Sequence, residues 1–168
     1  MKKEPMGNIV LQFVGTDKDL GSLLIQWFGK GPYSHVDSVL PDGSLLGARN
    51  NKIGDIPAGV QIRPASYVNH ERKLRVTIPC KQSIADAYYD FQKAQIGKPY
   101  DRLAILAFVF NRHWMDDDAW FCSELSTAGL VHCGLLPHLS VQCNKVDPDM
   151  EIAICSVLPG VTMTEVHD

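Results

Sequence analysis

The chain has 168 residues, of which 45% are hydrophobic and 21% are charged, and its formal net charge is -3. A chain of this length and composition can build a proper core, which excludes a disordered segment or a fibrous repeat. The slightly acidic balance provides no cationic surface, so we expect neither nucleic acid nor an anionic membrane as a partner. The sequence therefore predicts a single globular domain over residues 1–168.

The first half of the chain is rich in strand signals. Strands are predicted at residues 8–14, 36–40, 44–48, 60–63 and 74–78. Asp42 and Gly43 favour a hairpin between the second and third strands, because glycine accepts the positive φ of a tight turn. A short helix is predicted at residues 20–28, where Gly29 and Pro32 would end it. The strands should form an antiparallel meander.

The second half of the chain is predicted to be mainly helical. Ser83 is expected to cap a helix that ends before Gly97 and Pro99. Residues 103–110 could form a helix or a buried strand, and residues 122–133 should form a helix. Residues 152–158 predict a final strand. Because the strands are grouped apart from most of the helices, we predict an α+β fold with an antiparallel sheet, not alternating βαβ units.

Two features bear on the compartment of the protein. The apolar run at residues 9–14 is too short and too interrupted for an export signal, and residues 103–110 are shorter than the about 20 residues needed to cross a bilayer. Five cysteines, an odd number without close pairing, favour reduced thiols over a disulfide framework. A cytoplasmic protein without integral membrane association is therefore expected.

Cys122 stands at the start of the predicted helix at residues 122–133, in the segment Trp120-Phe121-Cys122-Ser123-Glu124-Leu125. A helix N-terminus or a neighbouring imidazolium can lower the pKa of a thiol from about 8.5 to about 3.5–7.5, which makes the sulfur a nucleophile at neutral pH. The same cysteine could instead be core packing, since cysteines are among the most buried residues. The nearby carboxylates of Asp116, Asp117, Asp118 and Glu124 would oppose a thiolate if they point inward, so a strongly lowered pKa requires a positive partner.

His35 is the best candidate for that partner, because it opens the predicted strand at residues 36–40. A base on a rigid strand can serve a nucleophile on a rigid helix if the imidazole lies within hydrogen-bond reach of the sulfur. A histidine at a strand edge could equally have a purely structural role. The hypothesis is a pair formed by Cys122 and His35.

No metal or nucleotide cofactor is expected from the sequence. Four potential ligands lie close together in the chain, namely His132, Cys133, His138 and Cys143. Their spacing fits no common zinc pattern, because a Cys-x-x-Cys knuckle and a clear second pair are lacking. The glycines lie in loop or hairpin contexts and match neither nucleotide-binding fingerprint.

Three short motifs occur in a characteristic order: Ser34-His35-Val36, then Gly97-Lys98-Pro99-Tyr100-Asp101, then Phe121-Cys122-Ser123-Glu124-Leu125. This order resembles the circularly permuted branch of the NlpC-type papain-like cysteine hydrolases, the YiiX-like group. The resemblance covers about residues 8–158 and implies a permuted papain-like fold, in which the histidine precedes the cysteine. It further implies that Cys122 is a nucleophile that forms a thioester acyl-enzyme, that His35 is the general base, and that Tyr100 lines the cleft. The expected substrate is an amide or ester of a small molecule, peptide or lipid.

The residue that orients the histidine departs from this family pattern. Relatives place it on the strand after the histidine strand, but here residues 44–49 contain no carboxylate. Asp37 is two residues from His35 and on the same face of a regular strand, so either Asp37 or Gln61 on the following strand could substitute. Without an orienting residue, a Cys-His dyad would retain some activity. The alternative function is a catalytically degenerate binding or assembly module on the same fold.

Overall fold

The computed structural model describes residues 4–15, 31–67, 70, 72–101 and 119–167. Within these residues the strands are β1 Met6–Gly15, β2 His35–Val39, β3 Leu45–Arg49, β4 Gly59–Arg63, β5 Arg72–Lys81 and β6 Thr162–Glu165. They form one sheet of order β4-β3-β2-β1-β5-β6, in which every neighbouring pair is antiparallel. The helices are α1 Gln82–Ala94, α2 Cys122–His132 and α3 Pro148–Ser156. The architecture is therefore α+β with an antiparallel sheet, as predicted. The predicted meander is wrong beyond β4, because β5 pairs with β1 at the other side of the sheet.

The main hydrophobic core lies between the sheet and the helices. Leu11 and Phe13 of β1 are fully buried in the same cluster as Leu125 of α2. Gly129 lets α1 approach α2 closely, because a Cβ atom there would lie 2.6 Å from Gln92 Nε2. The Gln92 side chain in turn donates a hydrogen bond of 2.8 Å to the carbonyl of Leu125, which fixes the packing of the two helices.

The two faces of β2 have different surroundings. Ser38 Oγ and Tyr88 OH are 2.6 Å apart, which ties one face of β2 to α1, and Val36 belongs to the core cluster. Since side chains alternate along a strand, His35 and Asp37 lie together on the other face. The sequence-based prediction that they share one face of the strand agrees with this arrangement.

The sheet opens between β2 and β3. These strands are paired only at Ser38↔Leu46 and Val39↔Leu45, whereas β3 remains paired with β4 as far as its last residue, Arg49. The first residues of β2 pair with β1 but not with β3. The backbone of β2 is thus free at this end to meet another element.

The predicted strand at residues 152–158 is wrong, since most of this segment belongs to α3. Asp147 caps that helix by accepting a hydrogen bond of 2.8 Å from the N–H of Met150, and Pro148 occupies its first turn. These start signals outweigh the apolar run, which suits a helix or a strand equally well. The last strand is β6.

The start of α1 differs from the prediction, and two predicted segments do not fall among the described residues. Helix α1 is preceded by Lys81 as its N-cap, and Ser83 donates its hydroxyl to the carboxylate of Glu4 instead of capping the helix. The segments at residues 20–28 and 103–110 lie outside the described residues. Among the helices that are described, none has the length and apolar character needed to cross a membrane.

Candidate active site

Cys122 is the first residue of α2, and local hydrogen bonds hold the helix start in place. The N–H of Phe121 donates to the carboxylate of Glu124 over 3.2 Å. Just before it, Trp120 donates its N–H to the carbonyl of Pro99 and accepts from the N–H of Asp101, both at 3.1 Å. The segment that contains Tyr100 is thus tied to the residue pair that precedes the cysteine.

The Cys122 sulfur lies in the opening between β2 and β3. The backbone N–H groups of Val36 in β2 and Ser123 in its own helix lie close to it, and Cys122 is only 2% exposed. Burial raises the pKa of the thiol to about 12, and the charge of Asp37 adds to this effect, while the two N–H groups oppose it. The expected lowering of the thiol pKa by the helix start is therefore wrong, because burial outweighs it. Cys122 is a neutral thiol at pH 7.

His35 forms a hydrogen bond with Asp37, with 2.8 Å between Nε2 and Oδ1. Burial alone would raise the pKa of Asp37, but the charges of Arg63, His35 and Arg49 hold it well below its usual range. An ionised carboxylate only accepts hydrogen bonds, so the geometry assigns the ring proton to Nε2. The lone pair on Nδ1 is then the one that could act as a base.

Arg63 extends from β4 across β3 to this histidine. Its guanidinium forms a buried ion pair with Asp37 and lies 3.1 Å from His35 Nε2, and it donates to the carbonyl of Gly47 over 3.4 Å. A methyl group on Gly47 would overlap the Asp37 carboxylate, so this glycine gives Asp37 the room to meet Arg63. A buried charge is tolerated when it is paired, which accounts for the close contact.

The imidazole of His35 is neutral at pH 7. Burial lowers its pKa to about 4, with further lowering by Arg49 and Arg63 that Asp37 only partly offsets. His35 and Cys122 are close along the backbone, because the N–H that reaches the sulfur belongs to Val36, the next residue. Within the described part of the chain, His35 donates a hydrogen bond to Asp37 and has the Arg63 guanidinium 3.1 Å from the same ring nitrogen, but it has no hydrogen bond to Cys122. The structure thus places the two predicted residues near each other, with both side chains neutral and no hydrogen bond between them.

Tyr100 and Gln61, the other residues singled out in the sequence, have different surroundings. The ring of Tyr100 lies 6.1 Å from that of Phe121, and burial raises its pKa well above 10, while the nearby Cys122 adds to this rise when its thiol ionises. Tyr100 is therefore a protonated phenol near the sulfur. Gln61 donates to the carbonyls of Asn51 and Pro57, so it holds the loop before β4 and does not orient His35.

Sequence reasoning missed the groups that surround His35 on its face of the sheet. Two guanidiniums lie close to the Tyr67 ring, with Arg49 Cζ 5.0 Å and Arg63 Cζ 4.9 Å from its centroid. The Tyr67 hydroxyl accepts from Arg49 and lies 3.1 Å from His70 Nε2. The signal that could have found the arginines is strand alternation, since Arg49 and Arg63 are each two residues beyond the paired Gly47 and Gln61 and so lie on the same face of the sheet as them.

The fold defined by these elements is an α+β fold with a six-stranded antiparallel sheet and a cysteine at a helix start facing it. No protein-family model matches the sequence, and no curated protein matches it. Among solved structures, the chain is similar to the metalloprotein YiiX from Escherichia coli O157:H7, with a TM-score of 0.62 and 16% sequence identity. The likeness covers 94% of this chain and 95% of that chain. The chain therefore has a YiiX-type fold.

Proposed function

We propose that the protein is a cysteine hydrolase with a permuted papain-like fold, in which Cys122 attacks the carbonyl of an amide or ester. The observation that carries the proposal is the hydrogen bond of 2.8 Å between His35 Nε2 and Asp37 Oδ1. It supplies, from the histidine's own strand, the orienting carboxylate that the next strand lacks. The orientation directs the basic Nδ1 away from Asp37, which is the arrangement a Cys-His-Asp triad needs.

In the proposed reaction, His35 Nδ1 takes the thiol proton while the sulfur forms a bond to the substrate carbonyl carbon. The backbone N–H of Cys122 would donate to the resulting oxyanion. The imidazolium then gives its proton to the leaving amine or alcohol, which leaves a thioester on Cys122. Water, deprotonated by His35, hydrolyses the thioester and releases the acid and the free thiol.

The acid-base properties support general-base catalysis from a neutral pair, not from a preformed ion pair. With the pKa of His35 at about 4 and that of Cys122 at about 12, proton transfer from the thiol to the imidazole is strongly unfavourable in the absence of substrate. The proton must therefore move as the substrate binds and the C–S bond forms. Tyr100, a protonated phenol near the sulfur, would line the substrate cleft.

A binding or assembly module is the second candidate function. The observation that favours it is the environment of Cys122, which is 2% exposed and whose sulfur lies beside two backbone N–H groups. A decayed site could retain such a thiol as a core residue. This candidate predicts a cysteine that does not react faster than its neighbours.

YiiX is described as a metalloprotein, but the residues described here do not fit a metal centre. In the described part of the chain, no group of three or more His, Cys, Asp or Glu side chains is arranged to hold an ion. At the candidate site, the guanidinium of Arg63 contacts both His35 and Asp37 and would repel a cation. No metal-dependent step is proposed.

The test is acylation by p-nitrophenyl acetate, followed by peptide mass spectrometry and by release of p-nitrophenol. We expect an acetyl group on Cys122 that forms and turns over, and His35→Ala should slow its formation by about 10²–10⁴-fold because the general base is lost. Cys122→Ser should abolish turnover. Cys143→Ser, which removes a partly exposed thiol outside the site, is the matched control. Acetylation of Cys122 at the rate of the other thiols, unaffected by His35→Ala, would favour the binding module.

A further inference from the structure

Arg49 is a half-buried cation without a carboxylate partner among the described residues. Its Nη1 donates to the Tyr67 hydroxyl, and its Nε is buried and has no hydrogen-bond partner within the described part of the chain. The carboxylate on this face of the sheet, Asp37, is bound by Arg63 and His35. Removing a charge from water is costly unless an opposite charge or hydrogen bonds compensate for it. Among the described residues, the surroundings of Arg49 therefore lack one anion.

Arg49 also lies at the end of the sheet that holds the candidate active site. It is the last residue of β3, and since β2 runs antiparallel to β3, this end of the sheet is the one where β2 begins with His35. The strand partner of Arg49 is Gly59, and the adjacent Val60 donates to the carbonyl of Lys98 over 2.8 Å. Lys98 is two residues before Tyr100, so Arg49 lies between the histidine strand and the Tyr100 segment.

The charge of Arg49 affects titratable groups in both the histidine strand and the Tyr100 segment. Burial is the main cause of the shifted pKa values of His35, His70 and Tyr100. Arg49 lowers all three pKa values, so it adds to the effect of burial at the two histidines and opposes it at Tyr100. Tyr100 is also affected by Cys122. Among the described residues on this face, the two guanidiniums of Arg49 and Arg63 face one carboxylate, that of Asp37, which leaves an excess of positive charge beside the proposed nucleophile and base.

We propose that Arg49 binds an anionic group of the substrate, a carboxylate or a phosphate, close to the carbonyl that Cys122 attacks. The inference rests on the proposed hydrolase function and deepens it by naming a chemical feature of the substrate. A guanidinium suits this role because its planar fork matches the paired oxygens of either anion. The bound anion would supply the missing counter-charge and orient the acyl group toward the sulfur.

The first test compares alkylation of Cys122 by iodoacetate and by iodoacetamide. The two reagents have similar size, but iodoacetate carries a carboxylate where iodoacetamide carries an amide. In both reactions the sulfur displaces iodide. The rate with iodoacetate is divided by the rate with iodoacetamide at Cys122, and this ratio is divided by the same ratio at Cys143. The normalised ratio isolates the effect of the anion on Cys122. We expect Arg49→Gln to lower this normalised ratio about tenfold, the loss of one charge-assisted hydrogen bond, while Arg49→Lys retains part of it. Arg75→Gln, which removes a cation from β5, should leave it unchanged. An unchanged ratio in Arg49→Gln would overturn the proposal.

The second test does not depend on the reactivity of Cys122. Sodium acetate and inorganic phosphate are titrated separately while the ring resonances of His35 and His70 are followed by NMR. Wild type should show a saturable shift with at least one anion, and Arg49→Gln should show none; the anion that saturates at the lower concentration identifies carboxylate or phosphate chemistry. Absence of saturation with both anions in wild type would overturn the Arg49 site. If Cys122 resists both alkylating agents while an anion binds, the hydrolase proposal fails and the anion site stands.

Discussion

The buried ion pair between Asp37 and Arg63 should contribute strongly to the stability of the folded state, and this contribution can be measured. Both side chains are buried, at 1% and 0% exposure, and His35 also bonds to the Asp37 carboxylate. Asp37→Asn keeps the shape of the side chain but leaves the guanidinium of Arg63 buried without an anion. Removing one partner of a buried pair costs about 3–5 kcal/mol, which lowers Tm by about 6–20 °C for a chain of this size.

The assay is thermal and urea unfolding of Asp37→Asn beside Asp55→Asn, which changes an exposed carboxylate. Arg63→Met combined with Asp37→Asn should recover part of the lost stability, because no unpaired charge then remains. The pKa of Asp37 is held below its usual 3.8, so its stabilisation is complete above that value and fades as the pH falls below it. Asp37→Asn should remove this acid dependence. A loss no larger than that of Asp55→Asn would refute the buried-pair reasoning.

Two further changes test other parts of the molecule. Burial raises the pKa of Glu151 from 4.5 to about 8, and Ser126 donates to its carboxyl over 2.8 Å. The folded state thus favours the neutral form of Glu151. The stabilisation of the folded state by this proton is complete below about pH 4.5 and is lost as the pH rises to about 8, and it amounts to on the order of 5 kcal/mol. Glu151→Gln should flatten urea-unfolding stability over this range, and an unchanged slope would contradict the assignment. Gly47→Ala should lower stability by about 1–3 kcal/mol in urea unfolding, because its methyl group overlaps Asp37, and a neutral result would mean that Asp37 does not lie over this glycine.

The strands could be predicted where local turn chemistry and residue pattern agree. Asp42 and Gly43 marked the hairpin correctly: Gly43 has φ of 84°, and the N–H of Leu40 donates to the carbonyl of Ser44 over 2.8 Å. The segment at residues 152–158 was misread because an apolar run of that length suits a helix or a strand equally well. The helix start at Asp147 and Pro148 was the deciding signal, and it lies outside the apolar run.

The site could be predicted in part, because its members lie close together in sequence or at a helix start. His35 and Asp37 are two residues apart, so strand alternation alone places them together. Arg63 is 26 residues from Asp37, and their contact depends on the register of β3 with β4. The pKa of Cys122 could not be predicted, since burial by the sheet, a tertiary effect, outweighs the local effect of the helix start.

The most direct test of the central claim is the pH dependence of iodoacetamide alkylation at Cys122 in wild type and His35→Ala, measured by mass spectrometry with Cys143 as reference. With the pKa of His35 at about 4 and that of the thiol at about 12, the base is available and the thiol is protonated from about pH 5 to about pH 9. The account predicts a nearly flat rate in wild type over this range and, in His35→Ala, a slower rate that rises about tenfold per pH unit with the thiolate fraction. The same pH slope in both proteins would contradict a role for His35 as the base of Cys122.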